Sequence, residues 1–467
     1  MIGDGMGLTT VTAARILEGQ QRGEPGEGNS LAFERLPYLA LSKTYNTNQQ
    51  VPDSAGTMTA MVTGTKSFAG AISVGPGIER GDFEAAESHR LETLFEQAEA
   101  RGLSTGVVTT TSVTHATPAA CYAHSPERSW QGDSDMPEAA REAGFPDIAR
   151  QLIEFQPGDG LEVALGGGRL YFMPEDQHDP EIPEKRGNRL DGRDLIAEWM
   201  ERRPGSAYVW NAEGLAGIDA ATTGPLLGLF APDHMAFEYD RERDPAGEPS
   251  LSEMTARALA ILGRNDAGFV LMVEGGRIDH AHHGGNAYRA LTDTIEFSRA
   301  VQTVLDVTDP NETLVVVTAD HGHVFTIAGY PTRGNDILGK VVGNDDRGRP
   351  LERPSGDAQG LPYTTLGYQN GPGYAVVSPL GPGGPTPREG DPAPRPTAVT
   401  RPNLTDVDTA DPSYRQEATV PLGSETHSGE DVPVYASGPG SARVRGVQEQ
   451  SFVYDVIVWA LGWSNPR

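Results

Sequence analysis

Gly268-Phe269-Val270-Leu271-Met272-Val273-Glu274-Gly275-Gly276-Arg277-Ile278-Asp279-His280-Ala281-His282-His283 carries two signals side by side. The first half is an apolar run without polar alternation, which reads as a strand buried on both faces, and it stops at a carboxylate, Glu274. Outward from it, residues 251–262 and 288–307 have helical spacing, and residues 313–318 form another apolar strand, ending before Asp320. Strands of this kind separated by helices predict an α/β fold with a mostly parallel central sheet and helices on both faces. In such sheets functional groups gather beyond the carboxyl ends of strands. Asp4, His115, Glu274 and Asp320 each lie at or just past such an end.

The first half of the chain repeats the same order of helix, strand and glycine turn. Residues 1–7 read as a strand end breaking into a turn that holds Asp4, and 9–19 as a helix. Residues 39–46 alternate as a strand, 91–100 are helical, and 105–110 are a β-rich run before His115. A helix at 148–155 and a strand at 161–165 precede three glycines at 166–168. Residues 329–424 depart from this pattern, being rich in Pro and Gly, most densely at 381–396, with strand-like pieces only at 363–367 and 374–377. A strand at 434–435 and a helix within 447–462 then return the chain to the core. The 329–424 segment is therefore read as an excursion within a single domain, 1–467.

The net charge of −28 argues against nucleic acid and anionic membrane surfaces as partners, while a local group of cations in a cleft can still hold a small phosphate ester. Only Lys43, Lys66, Lys185 and Lys340 are lysines, and an acidic, lysine-poor surface suits high salt. Cys121 is the only cysteine, so no intrachain disulfide forms. The apolar run at 452–463 is too short to span a membrane. The chain opens directly on Met1-Ile2-Gly3-Asp4-Gly5 without a signal peptide, as a processed or trimmed start would.

The second half of the opening stretch is dense in metal-type ligands. Asp279 and His283 are four apart and share a face if a helix begins there, an arrangement suited to a metal; a solvated helix start is the alternative. Asp320-His321 can bind a metal through both groups, or the carboxylate can merely orient the imidazole. His427 stands alone in Glu425-Thr426-His427-Ser428-Gly429-Glu430, as an ordinary surface histidine would. In Val51-Pro52-Asp53-Ser54-Ala55-Gly56-Thr57, Ser54 falls in the first turn of a helix, where free amides and the helix dipole favour an anion; Asp-Ser is also the usual composition of a cap. Carboxylate with imidazole suits zinc, and carboxylate with hydroxyl suits magnesium. Paired metals about 4 Å apart serve phosphoryl chemistry. Arg128 offers a bidentate grip on phosphate, though a single arginine is more often a surface residue.

Taken in order, Asp4-Gly5-Met6-Gly7, Ser54, His115-Ala116-Thr117-Pro118, Arg128, the Glu274 to His283 run, Asp320-His321-Gly322 and the His427 segment resemble the alkaline phosphatase family over nearly the whole chain. The resemblance implies a broad phosphomonoesterase with a phosphoserine intermediate at Ser54, Arg128 on the phosphate, two zinc ions and one magnesium. One zinc would be held by Asp279, His283 and His427, the other by Asp4, Asp320 and His321, and the magnesium by Asp4, Thr117 and Glu274. Asp53, His115 and His280 would flank these ligands. His115 and His280 stand where enteric bacterial relatives carry Asp and Lys, which places the chain nearer the animal and some marine bacterial enzymes and implies looser magnesium and faster phosphate release. The animal enzymes' extra calcium site is matched at Glu181 and Phe230, but Ala231 replaces a carboxylate and Glu248 an aspartate, so that site is expected to be weak or empty.

Residues 329–424 resemble the family's crown region, recognisable at Tyr368-Gln369-Asn370-Gly371-Pro372-Gly373-Tyr374 and longer in the Pro-rich part at 382–402. A homodimer, small phosphate monoesters and inorganic phosphate as ligands, and a periplasmic or secreted location are implied, with no nucleic acid or membrane partner. The family's N-terminal arm is absent from this sequence, and metals sharing Asp4 would bind poorly if the chain began at Met1. A phosphodiesterase or sulfatase on the same core, or an inactive metal-binding protein, are the competing readings.

Overall fold

The computed structural model describes residues 1–374 and 401–463. In chain order its strands are β1 (Ile2–Gly3), β2 (Tyr38–Lys43), β3 (Ser104–Ser112), β4 (Val163–Gly167), β5 (Ala207–Val209), β6 (Leu226–Leu229), β7 (Phe269–Gly275) and β8 (Val315–Ala319). Five short strands follow: β9 (Gly322–His323), β10 (Phe325–Ile327), β11 (Leu366–Gly371), β12 (Ala418–Pro421) and β13 (His427–Ser428). β14 (Val432–Ser437) and β15 (Gly446–Glu449) complete the series. One ten-stranded sheet has the order β15-β2-β14-β8-β1-β7-β3-β4-β6-β5. Only β14 runs antiparallel to its neighbours, β2 and β8; the other pairings are parallel, as the apolar strands predict.

Neighbouring residues on one strand feed opposite cores, which is why these strands read as unbroken apolar runs. Val108, Leu165, Val273 and Val317 pack with the helices Leu8–Gln21, Leu251–Leu262 and Ala287–Val307. Val107, Ala164 and Met272 pack on the other face with the helices Ser54–Thr63, Ala116–Tyr122, Ile148–Glu154 and Phe452–Ala460. Among the described residues, no helix is long and apolar enough to cross a membrane.

Two strand expectations shift. The strand expected over 39–46 ends at Lys43 because Thr44 donates its hydroxyl to the Glu430 carbonyl at 3.2 Å and Asn46 bonds Asp53 at 2.9 Å. The piece expected at 363–367 is displaced to Leu366–Gly371, whose register is set by antiparallel pairing with β10, Gly367 opposite Thr326. β12 adds to β11 in parallel, so two strands of the excursion extend β10, which precedes it, into a three-stranded sheet. The expected strand at 374–377 beyond Tyr374, and the Pro-rich part up to residue 400, lie outside the described residues.

The centre of the main sheet positions the site. β1 lies between β7 and β8, with Ile2 opposite Glu274 on one side and Thr318 on the other. Asp4, Glu274 and Asp320 therefore leave three adjacent strands at the same end.

Candidate active site

Past β7, the helix Arg277–His283 starts at once, and Asp279 and His283 sit one turn apart on it. His427 arrives from far along the chain because β13 pairs antiparallel with β9, His427 opposite His323. His427 Nε2 lies 3.1 Å from His283 Nε2 and 3.2 Å from Asp279 Oδ1, and His283 Nε2 lies 3.4 Å from Asp279 Oδ2. The outer nitrogens fix the tautomers: His283 Nδ1 meets the Glu425 carbonyl at 2.6 Å and His427 Nδ1 meets the Pro52 carbonyl at 2.8 Å. A carbonyl only accepts, so both Nδ1 atoms carry the hydrogen and both Nε2 atoms turn lone pairs inward. Two imidazole lone pairs and a carboxylate then face one point without a donor among them, which a cation satisfies.

A second group adjoins it. His321 Nε2 is 3.2 Å from Asp320 Oδ2, 3.4 Å from Asp4 Oδ1 and 3.2 Å from the Ser54 hydroxyl, and its ring stacks on that of His427 at 3.6 Å. Both Asp4 oxygens are buried without a hydrogen-bond partner, a costly state for a carboxylate unless a cation completes it. Burial, then the charges of Asp320, Asp279 and Glu274, push Asp4 well above the usual carboxylate range.

The third group joins Asp4, His115 and Glu274, whose ligand atoms lie within 4.8 Å of one another. Thr117 Oγ1, Glu274 Oε1 and His115 Nδ1 are buried without hydrogen-bond partners. Glu274 Oε2 is held by the hydroxyls of Thr109 and Thr111, while burial raises its carboxyl to about 7. Excess negative charge and orphaned oxygens in one buried place fit a bound cation.

Ser54 opens the buried helix Ser54–Thr63, and Asp53 caps it by accepting the Gly56 amide at 3.1 Å. Both readings of Asp-Ser therefore hold, one for each residue. The cap also orients the arginine: Asp53 Oδ2 accepts from Gly70 N at 2.9 Å and from Arg128 Nη1 at 3.1 Å. The other Arg128 terminus meets His115 Nε2 at 3.1 Å. A Cβ on Gly56 would lie 2.6 Å from Asn46 Oδ1, so the Asn46 to Asp53 contact depends on that glycine.

The family description for alkaline phosphatase matches residues 1–463. The chain is 44% identical to the tissue-nonspecific alkaline phosphatase of Gallus gallus over 98% of its length and 83% of the relative's. The chain belongs to the alkaline phosphatase family. It is 43% identical to the alkaline phosphatase of Gadus morhua, over 98% of this chain and 90% of that one. Among solved structures, alkaline phosphatase from Thermus thermophilus superposes with a TM-score of 0.67 at 25% identity, covering 99% and 90% of the two chains. That from the Antarctic bacterium TAB5 gives 0.62 at 22% identity, covering 99% and 97%. The protein is a phosphoric monoester hydrolase, and its buried carboxylate and imidazole groups fit the family's dependence on metal.

Other groups complete this alkaline phosphatase site without having stood out as sites in the sequence. His323 lies between two carboxylates, its Nε2 2.9 Å from Asp279 Oδ1 and its Nδ1 2.5 Å from Glu425 Oε2. Burial alone would lower its pKa; the Glu425 and Asp279 charges override burial and raise it to about 10, so it is an imidazolium near neutral pH. The two-residue step from His321 to His323 along an extended segment was the available signal. His234 also joins His115 and His280, at ring distances of 5.4 and 4.4 Å. Burial first, and nearby Arg128 or Arg277 next, hold His115 and His280 well below the usual histidine range.

The calcium-type positions are occupied differently. Glu181 accepts from Arg169 at 2.9 Å, Glu248 accepts the Ala236 amide at 2.7 Å, and Phe230 is buried. Among the described residues, no group of three acidic or imidazole ligand atoms forms there.

Proposed function

We propose that Ser54 is the nucleophile of this phosphomonoesterase and becomes a phosphoserine during turnover, beside two zinc ions and one magnesium. Asp279, His283 and His427 would hold one zinc, Asp4, Asp320 and His321 the other, and Asp4, Thr117 and Glu274 the magnesium. Donor chemistry supports the division, since imidazole with carboxylate suits zinc and carboxylate with hydroxyl suits magnesium. The observation that carries the reading is the convergence of His283, His427 and Asp279 on one point, next to the His321 ring that touches the Ser54 hydroxyl.

When bound, the cations would make the Ser54 alkoxide and a hydroxide accessible near neutral pH and steady the departing oxygen. Ser54 Oγ, its proton given up to solvent, attacks phosphorus as the bond to the alcohol oxygen breaks and that oxygen takes a proton from water. Water then attacks the phosphoserine, and Ser54 Oγ regains a proton as inorganic phosphate leaves. Arg128, braced by Asp53, grips phosphate oxygens, and the first-turn amides of the Ser54 helix face the same anion. Since these groups address only the phosphate, the alcohol is left to vary. His115 and His280, neutral at working pH, hold product less tightly than a lysine would.

Metal analysis paired with p-nitrophenyl phosphate hydrolysis before and after chelation tests the assignment. Ser54→Ala is expected to keep its metals and lose at least about a thousandfold in kcat. Turnover at the wild-type level, or loss of zinc from that variant, counts against the assignment. Residues 329–424 are proposed as a crown-like insertion of a single catalytic domain and as the contact of a homodimer, which sedimentation of the chain with and without that segment checks. A periplasmic or secreted location belongs to the same reading and is checked by fractionating the native source.

A further inference from the structure

We propose that Glu99, Asp159 and Glu162 form an additional site for a hard divalent cation, calcium by preference, at the end of the sheet opposite the active site. Glu99 closes the helix Leu94–Glu99 and is 1% exposed, Asp159 lies on the loop before β4, and Glu162 directly precedes β4. One carboxylate oxygen from each lies within 4.8 Å of the other two. Glu162 Oε2 accepts the Thr105 amide at 2.6 Å and Glu99 accepts the Thr105 hydroxyl at 2.5 Å, which places the group where β3 and β4 begin. Ser104 to Ser112 spans about 25 Å of strand between this end and the catalytic one.

The second Glu99 oxygen, Oε2, is buried and has no hydrogen-bond partner. It points at the loop: a Cβ on Gly158 would lie 2.4 Å from it, and Gly158 has a φ of +60°, so the close approach of Asp159 depends on glycine. The nearby cationic side chain is Arg203, which donates to the Leu161 carbonyl and stacks on Trp199 at 4.8 Å instead of pairing with a carboxylate of the group. Three carboxylates beside the single positive charge of Arg203 leave net negative charge around an orphaned oxygen. Burial first, and then repulsion from neighbouring carboxylates of the group, raise Glu99 to about 8 and Glu162 to about 7. All donors are oxygens, which selects calcium or magnesium over zinc. Exposed Asp159 between two glycines leaves room for water and irregular geometry, which calcium tolerates better than magnesium. The ion would tie a helix end, a loop and two strand starts together without touching the chemistry.

The test uses the protein loaded to constant activity with its catalytic metals, comparing wild type, Asp159→Asn, Glu99→Gln and Glu248→Gln. Calcium binding is counted by equilibrium dialysis, and melting temperature is followed in calcium and in magnesium. Wild type and Glu248→Gln are expected to bind calcium here and gain roughly 2 to 4 °C at a hundredfold excess over Kd. Asp159→Asn and Glu99→Gln should lose at least about tenfold in affinity while keeping wild-type activity. No calcium bound by wild type, equal binding by Asp159→Asn, or loss only in Glu248→Gln would each overturn the proposal, the last by moving the ion to the Glu181 and Glu248 region. A larger response to magnesium that Asp159→Asn removes upholds the site and changes only its preferred ion.

Discussion

His323 makes the least visible contribution to the site. It binds no cation in the proposed scheme, yet its Nε2 donates to the same Asp279 oxygen that faces His427. An imidazolium there fixes the carboxylate's orientation and tempers its charge, and Glu425 fixes the imidazolium in turn. Replacing His323 by Ala is expected to lower zinc affinity about 10- to 100-fold with Ser54 untouched. Competition with a zinc chelator measures this, and an unchanged affinity would mean that Asp279 is oriented by the helix alone. Gly5 guards the same contact, since a Cβ there would lie 2.3 Å from His323 Nε2. Asp4, Asp279, His283, Asp320 and His321 were legible as ligand candidates because close spacing or strand-end position concentrates metal-type side chains at each. His427 was legible only through family resemblance, because a β bridge brings it in from 144 residues beyond His283. Glu425 was not legible, and for His323 the two-residue step from His321 was only a weak signal, since what distinguishes the two residues is their contact with one another.

At the scale of elements, β7 and β8 could be read from their apolar runs, because packing against two cores favours apolar residues on both faces, while buried β3 was legible from its β-branched Val and Thr residues. β10, β11 and β12 could not, for their register comes from one another. The short Ser54–Thr63 helix depends on its cap, and the cap has two tasks. Asp53→Ala should cost about 1 kcal/mol through the lost Gly56 bond and should also free Arg128, raising KM for phosphate esters. If Asp53 acts through the arginine, adding Asp53→Ala to Arg128→Ala should raise KM little further; full additivity in KM would separate the two residues. A second cap sets acid tolerance. In the helix Leu94–Glu99, Glu96 accepts the Thr93 amide at 2.8 Å and contacts Arg90 and His124. Burial opposes ionisation, but the His124 hydrogen bond and charge, with Thr93 and Arg90, hold Glu96 down at about 2 against an ordinary 4.5. A depressed carboxyl contributes stability that is complete above about 4.5 and is lost as pH falls towards 2. The contribution is on the order of 3 kcal/mol. Unfolding free energy of Glu96→Gln measured from pH 6 to pH 2 should therefore lie below wild type at pH 6 and converge with it in acid. A constant gap across that range would refute the linkage.

For the whole molecule, charge is the largest effect that no local contact cancels. There are 65 acidic residues against 37 Lys and Arg, a net charge of −28, and repulsion of this kind destabilises the compact state. The active site adds its own surplus, with Asp4, Asp279, Glu274 and Asp320 buried close together. Cations bound there relieve the local part, while dissolved salt relieves the part spread over the surface. Screening length falls from about 10 Å at 0.1 M to about 3 Å at 1 M, so most of the relief should be complete by molar salt. Melting temperature of the metal-loaded protein is therefore expected to climb steeply up to about 1 M sodium chloride and then flatten. Sulfate and chloride should coincide at equal ionic strength over that rise, because screening depends on ionic strength while preferential exclusion depends on the anion. A flat response below 1 M, or a rise that follows sulfate alone and continues beyond it, would show that the acidic surface is already balanced by its arginines and that salt acts on apolar burial instead.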